Sequence, residues 1–272
     1  MANRRATSIT LEVITRTPPR GPVRNHILFI HGSWHGAWCW DEHFLPYFAA
    51  QGYAAHALSL RGHGKSGCDK RLKLLRIADY VADVERVISR LPRPLVLIGH
   101  SMGGFILQKY LENHRAPAAV MMTPVPCAGA LPTTLRLMIR HPWLFVKVNV
   151  LLSLLPMVGT PRLAQEAFFR NNLDPATTAR YASLLGDESY LAFLDMLVLN
   201  RPKRGCGGTP ALVLTAGHDR LVFPGSIRKT AARYATTPVI FPGASHDLML
   251  DESWRMAADC ILEWLRSIPG LS

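Results

Sequence analysis

Apolar and polar positions follow two rhythms along the chain, and the order of those rhythms predicts a fold. From Ser8 to Thr15, Ile9, Leu11 and Val13 alternate with Thr10, Glu12 and Ile14, which predicts a half-buried edge strand. After the break Pro18-Pro19-Arg20-Gly21-Pro22, the run His26-Ile27-Leu28-Phe29-Ile30 is apolar enough to be covered on both faces. Further strand candidates are Ala54 to Leu60, Pro94 to Ile98 and Ala118 to Met122. Between them, Ile77, Tyr80, Val81, Val84, Val87, Ile88 and Leu91 recur at helical spacing and predict a helix over 77–91. The stretch from Phe105 to Leu111 repeats that spacing. Strands alternating with helices predict a mostly parallel sheet covered by helices on both faces.

The rhythm stops at Pro124. From there to about Cys206 the chain is apolar, reads as helical and offers no convincing strand. Alternation resumes with a strand at Ala211 to Thr215, a helix near Ile227 to Tyr234, a strand at Pro238 to Phe241 and a helix at Trp254 to Arg266. The expected organisation is a core of residues 1–123 and 207–272, with residues 124–206 inserted as a helical cap. Such a cap would lie over the sheet's C-terminal edge, where open α/β sheets bind ligands.

Gly99-His100-Ser101-Met102-Gly103 falls between the Leu95 strand and the Phe105 helix. A serine on a strand-to-helix turn stands exposed above the sheet on a strained backbone, and flanking glycines let strand and helix approach closely. Such a serine needs a base and a partner that orients the base. Asp219 follows the Ala211 strand, His246 follows the Pro238 strand, and the order Ser–Asp–His suits this turn. The oxyanion of a tetrahedral intermediate needs donors. One is the N–H of Met102, directly after the nucleophile; the other is assigned to Ser33 in the loop His31 to Trp38, with Trp34 as second choice.

The segment H-G-x-x-H-G-x-W (His31, Gly32, His35, Gly36, Trp38) resembles the α/β-hydrolase subfamily of plant methyl-ester esterases and hydroxynitrile lyases, with their bacterial relatives. That resemblance runs along nearly the whole chain. It implies the α/β-hydrolase fold, the triad Ser101, Asp219 and His246, an oxyanion donor at Ser33 and a cap after the sixth strand. It also implies an acidic residue opening a D-x-R-G-x-G-x-S turn, where this chain has Ser59, so the local stability of that turn is in question. Dehalogenases and epoxide hydrolases of this fold carry Asp where Ser101 stands. The hydroxynitrile lyases carry Lys where Asp247 stands, so acyl hydrolysis is expected over cyanohydrin cleavage. Trp34, His35 and His100 are candidate substrate-binding residues; Trp34 reads equally well as packing at the seam between cap and core.

Composition narrows the partners. With 49% hydrophobic and 18% charged residues the chain has the make-up of an ordinary soluble domain. The balance of 31 Lys+Arg against 19 Asp+Glu gives +12, yet no nucleic-acid module is readable and no basic–aromatic interleaving suggests base stacking. Leu131 to Val150 sets Leu135, Met138, Ile139, Trp143, Leu144 and Val146 against Arg136, Arg140 and Lys147. One reading is a helix packed on the core with solvated charges; the other is weak peripheral contact with a membrane. Arg61, Lys65, Lys70, Arg71, Lys73 and Arg76 read either as solvated charge or as steering for an anionic ester.

Five scattered cysteines without a C-x-x-C pair argue against a disulfide framework or a zinc site, and neither metal nor cofactor is expected. The N-terminal residues do not read as a signal peptide. The longest apolar stretch, Val148 to Val158, is about half a membrane span, so a cytoplasmic protein is the expectation. The expected activity is serine hydrolysis of a small hydrophobic carboxylic ester through an acyl-enzyme. Thioesterase, amidase, acyltransferase and carbon–carbon bond chemistry are alternatives on the same triad. A non-catalytic receptor has no need of all three triad residues.

Overall fold

The computed structural model describes residues 9–169, 173–203, 205 and 208–271. The expected strand start at Ser8, the basic N-terminal residues and the expected cap boundary at Cys206 lie outside the described residues.

Seven strands form one sheet: β1 (Val13–Arg16), β2 (His26–Ile30), β3 (Ala54–Leu58), β4 (Leu95–His100), β5 (Ala119–Met122), β6 (Ala211–Ala216) and β7 (Val239–Phe241). Their order is β1-β3-β2-β4-β5-β6-β7; β1 runs antiparallel to β3 and every other pair is parallel. The helices are α1 (Trp38–Asp41), α2 (Phe44–Ala50), α3 (Ile77–Ile88), α4 (Met102–Tyr110), α5 (Leu131–Arg140), α6 (Pro142–Leu151), α7 (Pro161–Phe168), α8 (Pro175–Leu184), α9 (Tyr190–Leu194), α10 (Pro224–Arg233) and α11 (Trp254–Arg266).

Period-two alternation within buried strands splits the core into two layers. Ile27 and Phe29 of β2 pack with Val96 and Ile98 of β4, Phe44 and Phe48 of α2, and Ile261 and Leu265 of α11. Leu28 and Ile30 point the other way and join Leu97 with Tyr80 and Val84 of α3 and Phe105 and Ile106 of α4. Burying each large side chain contributes about 1.5–3 kcal/mol, which is why these runs tolerate no polar break. The mostly parallel α/β-hydrolase sheet expected from the sequence is the fold observed.

Three details differ from the sequence reading. The edge strand begins at Val13 because the preceding residues bond to the turn at 59–67: Glu12 N–H donates to Ser66 Oγ (2.8 Å) and Gly67 N–H to Thr10 O (2.9 Å). The helical insertion follows the fifth strand rather than the sixth, since the described chain before it supplies five. Leu131 to Val150 forms two helices, not one. His141 precedes Pro142 and sits at φ −133°, ψ 64°, off the helical region, as a residue before proline tends to do.

Between β5 and β6 the described chain is helical, from α5 to a last turn at Asp195–Leu199. Two buried carboxylates tie this insertion to the core. Asp195 accepts from Ile77 N–H (3.1 Å) and from Arg76 Nε (2.8 Å) at the start of α3, and Glu188 accepts from the Tyr80 hydroxyl (2.8 Å). Thr160 and Asp174 cap α7 and α8 by accepting from the N–H groups of Leu163 and Thr177.

Candidate active site

Ser101 joins β4 to α4 at φ 49°, ψ −114°, a conformation that side-chain-bearing residues rarely adopt. Glycine makes the turn sterically feasible. A Cβ on Gly103 would stand 2.2 Å from the Ile30 carbonyl oxygen, and one on Gly99 would stand 2.5 Å from the Gly103 carbonyl oxygen. The backbone is then fixed from the neighbouring strand, with Ser101 N–H donating to Met122 O (3.0 Å).

The loops after β6 and β7 bring Asp219 and His246 to this serine. The Ser101 hydroxyl lies 3.0 Å from His246 Nε2, and His246 Nδ1 lies 2.8 Å from Asp219 Oδ2. The other Asp219 oxygen accepts from the N–H groups of Leu221 and Val222, both at 2.8 Å, which fixes the carboxylate plane. The His246 and Asp219 side chains are almost fully buried. Burial pushes the His246 imidazole down in pKa, but the charge and hydrogen bond of Asp219, helped by Asp247, outweigh it and raise the value above 6.5. With Nδ1–H donated to Asp219, Nε2 is free to accept the serine proton.

Ser33 and Met102 face each other across this nucleophile, and the Ser33 hydroxyl donates to Met102 Sδ at 3.4 Å. Met102 is the first residue of α4, where N–H groups lack intrahelical acceptors and the helix end favours negative charge. Trp34, next to Ser33, takes φ 67°, and its carbonyl accepts from Gly186 N–H (2.8 Å), so the loop is held from the insertion side.

A cavity opens above Ser101, Ser33 and Trp34. Its roof comes from Leu137 and Met138 of α5, Phe145 and Val148 of α6, and Met196. Trp34 both lines this space and packs against Phe168 at a ring separation of 5.7 Å.

His35 and His100 sit elsewhere: neither lines the cavity, and both are buried beneath it. Nδ1 of His35 donates to Ser33 O (2.8 Å), and its Nε2 lies 3.0 Å from Asp247 Oδ2. Nε2 of His100 donates to His246 O (3.1 Å) and lies 3.5 Å from Asp247 Oδ1. Burial pushes Asp247 up in pKa, but His35, His100 and His246 together hold it below the usual carboxylate range. Burial pushes His100 down to about 3 despite Asp247. A buried Asp247 thus sits between the loop that carries Ser33, the strand that ends at His100, and His246. Sequence reading noticed Asp247 only as a departure from a lysine. The signal for its role was an acid beside the base together with a second histidine in the H-G-x-x-H-G segment. Ligand atoms of His100, His246 and Asp247 come within 4.8 Å of one another, but both His246 nitrogens are already engaged by Ser101 and Asp219.

The turn that lacks an acid at Ser59 receives one from the segment just before β1. The Ser59 hydroxyl donates to Glu12 Oε2 (2.6 Å) and accepts from Ala37 N–H (2.8 Å), while Lys65 N–H also donates to Glu12 Oε2 (2.9 Å). Half of the basic run beyond it is paired. Arg61 contacts Asp83 (2.6 Å), Lys70 contacts Asp79 (2.7 Å), Arg76 contacts Asp195, and none of the three lines the cavity.

The chain is similar to several known hydrolases along most of its length. The monoacylglycerol lipase of Mycolicibacterium smegmatis is 27% identical over 268 residues, covering 92% of this chain and 90% of that protein. Methylesterase 2 of Arabidopsis thaliana is 31% identical over 219 residues, covering 73% of this chain and 80% of that protein. The crystal structure of Paleococcus ferrophilus monoacylglycerol lipase superimposes with a TM-score of 0.68 at 20% identity, covering 94% of this chain and 98% of that one. The sequence signature described as "Alpha/beta hydrolase family" matches residues 27–259. Sheet order, a strained serine turn and that match over most of the sequence lead to one conclusion: the chain belongs to the alpha/beta hydrolase family.

Proposed function

We propose that this hydrolase cleaves small hydrophobic carboxylic esters through an acyl-enzyme on Ser101, with residues 124–206 acting as the cap over the acyl site. Carboxylic-ester hydrolysis is the activity named for a monoacylglycerol lipase and for a methylesterase among its relatives. The observation that carries the mechanism is the hydrogen-bonded series Ser101–His246–Asp219 at the floor of an apolar cavity.

In this reading, Ser101 Oγ attacks the ester carbonyl carbon while His246 Nε2 takes the hydroxyl proton. The carbonyl oxygen becomes an oxyanion received by the N–H groups of Ser33 and Met102. Collapse breaks the bond to the alkoxy group, which leaves as the alcohol with the proton from His246. Water then adds to the acyl carbon, giving its proton to His246, and collapse returns that proton to Ser101 as the acid departs. Asp219 holds the imidazole tautomer and stabilises its charge throughout. His35, Asp247 and His100 act as positioning residues behind Ser33 and His246.

The test is hydrolysis of p-nitrophenyl esters of increasing acyl length beside Ser101→Ala, with a fluorophosphonate probe. Nitrophenol release should fall by about 10³-fold or more in Ser101→Ala, the label should map to Ser101, and butyryl or longer chains should outrun acetyl. Absence of both turnover and labelling in the unaltered protein would overturn the reading.

A further inference from the structure

The outer surface of the cap is as apolar as its inner one. Leu135 and Ile139 stand one turn apart on α5, and Trp143, Val146 and Val150 recur at helical spacing on α6. Ile139 is 78% exposed, Trp143 83% and Val150 76%. The opposite faces of these two helices, through Leu137, Met138, Phe145 and Val148, form the roof of the Ser101 cavity. Stability of the fold does not explain the outer stripes, since α5 buries no residue fully and α6 buries only Val148.

Charge indicates what covers them. Arg136, Arg140 and Lys147 are exposed on the same two helices, Arg140 in an ion pair with Glu166 (3.0 Å), and no acidic residue occurs from Asn113 to Gln165. A second copy of the chain would bring these cations against their own counterparts, on a molecule already at +12. An anionic lipid surface matches both features: its head groups meet the cations, and its acyl boundary accepts the aliphatic side chains and the Trp143 ring. Each ten-residue helix is about 15 Å long, suited to lying along a membrane and too short to cross one. No helix among the described residues is long and apolar enough to span a bilayer.

We infer that the outer face of α5 and α6 docks the protein on anionic lipid bilayers, so that esters reach Ser101 from the lipid side of the cap. This rests on the ester-hydrolase reading above for its purpose, though not for the docking itself.

The experiment is co-sedimentation of the full chain with vesicles of phosphatidylcholine, alone or with about a third phosphatidylglycerol, at low and high salt. Binding should require phosphatidylglycerol and weaken as salt rises. Ile139→Glu with Trp143→Glu should weaken it by at least about tenfold while hydrolysis of a soluble p-nitrophenyl ester stays unchanged. Lys147→Glu, a single exposed charge reversal, should weaken it in the same direction and guards against misfolding of the double variant. Absence of binding, equal binding to both vesicle types, or full binding by both variants would overturn the inference. So would a dimer on size exclusion that the double variant abolishes without any vesicle binding. Fluorophosphonate labelling of Ser101 in the same samples separates the outcomes: its loss in the unaltered protein removes the esterase reading and leaves the docking result standing.

Discussion

Ser101 lies more than a hundred residues from Asp219 and His246 in the chain, yet the chemistry proposed for the three depends on one proton at one nitrogen. His246 accepts the serine proton only while Nε2 is unprotonated. Its pKa is raised above 6.5, because Asp219 outweighs burial, so kcat/KM should fall as pH drops through a midpoint above 6.5. Asp219→Asn removes the raising partner and leaves burial unopposed. The midpoint should move down and kcat should fall by about 10⁴-fold; a pH profile of both proteins measures it. An unshifted midpoint would contradict the assignment of His246 as the base. At this scale the sequence was informative for a physical reason. Ser101, Asp219 and His246 follow the C-terminal ends of β4, β6 and β7, where apolar runs stop, so each was visible as a polar residue past a strand. His35 and His100 were not legible, because a histidine's direction depends on its rotamer and neighbours. Both point away from the cavity to Asp247.

Elements with strict period-two or helical spacing were legible to within a few residues, as β2, β4, α3 and α11 show. Elements decided by long-range pairing were not. The edge strand lost residues 10–12 to the turn at 59–67, and no local signal in either segment announced the other. Glu12 is the telling case, since it supplies from a distant segment the carboxylate that position 59 lacks. Glu12→Ala should therefore destabilise the protein by about 1–3 kcal/mol in urea melts, from lost charge-assisted hydrogen bonds to Ser59 and Lys65. Ser59→Asp in that background should recover part of the loss. A Glu12→Ala protein as stable as the unaltered one would show that the turn needs no carboxylate.

For the whole molecule, the helical insertion meets the sheet and its helices through shared apolar packing and several buried polar contacts, and Asp195 makes one of them. Its buried carboxylate holds Arg76 and the first N–H of α3, two groups that open the helix under the cap. Asp195→Ala should lower Tm and make the first cuts of limited proteolysis fall within 124–206, while the sheet retains its circular dichroism signal. Cuts distributed as in the unaltered protein would count against a cap held by this contact. The helical stretch between β5 and β6 was readable from a long strandless interval, but its tethers were not, because a charged pair far apart in sequence leaves no periodic trace.

His246 and Asp247 share a peptide bond, and that adjacency has a mechanical consequence. One residue sets the base against Ser101; the next sets His35, and through it the Ser33 carbonyl, against the same loop. Displacement of residues 243–250 therefore shifts base and oxyanion loop together. Two alignments that could drift independently share a single tolerance, so thermal jitter in that loop degrades both at once or neither.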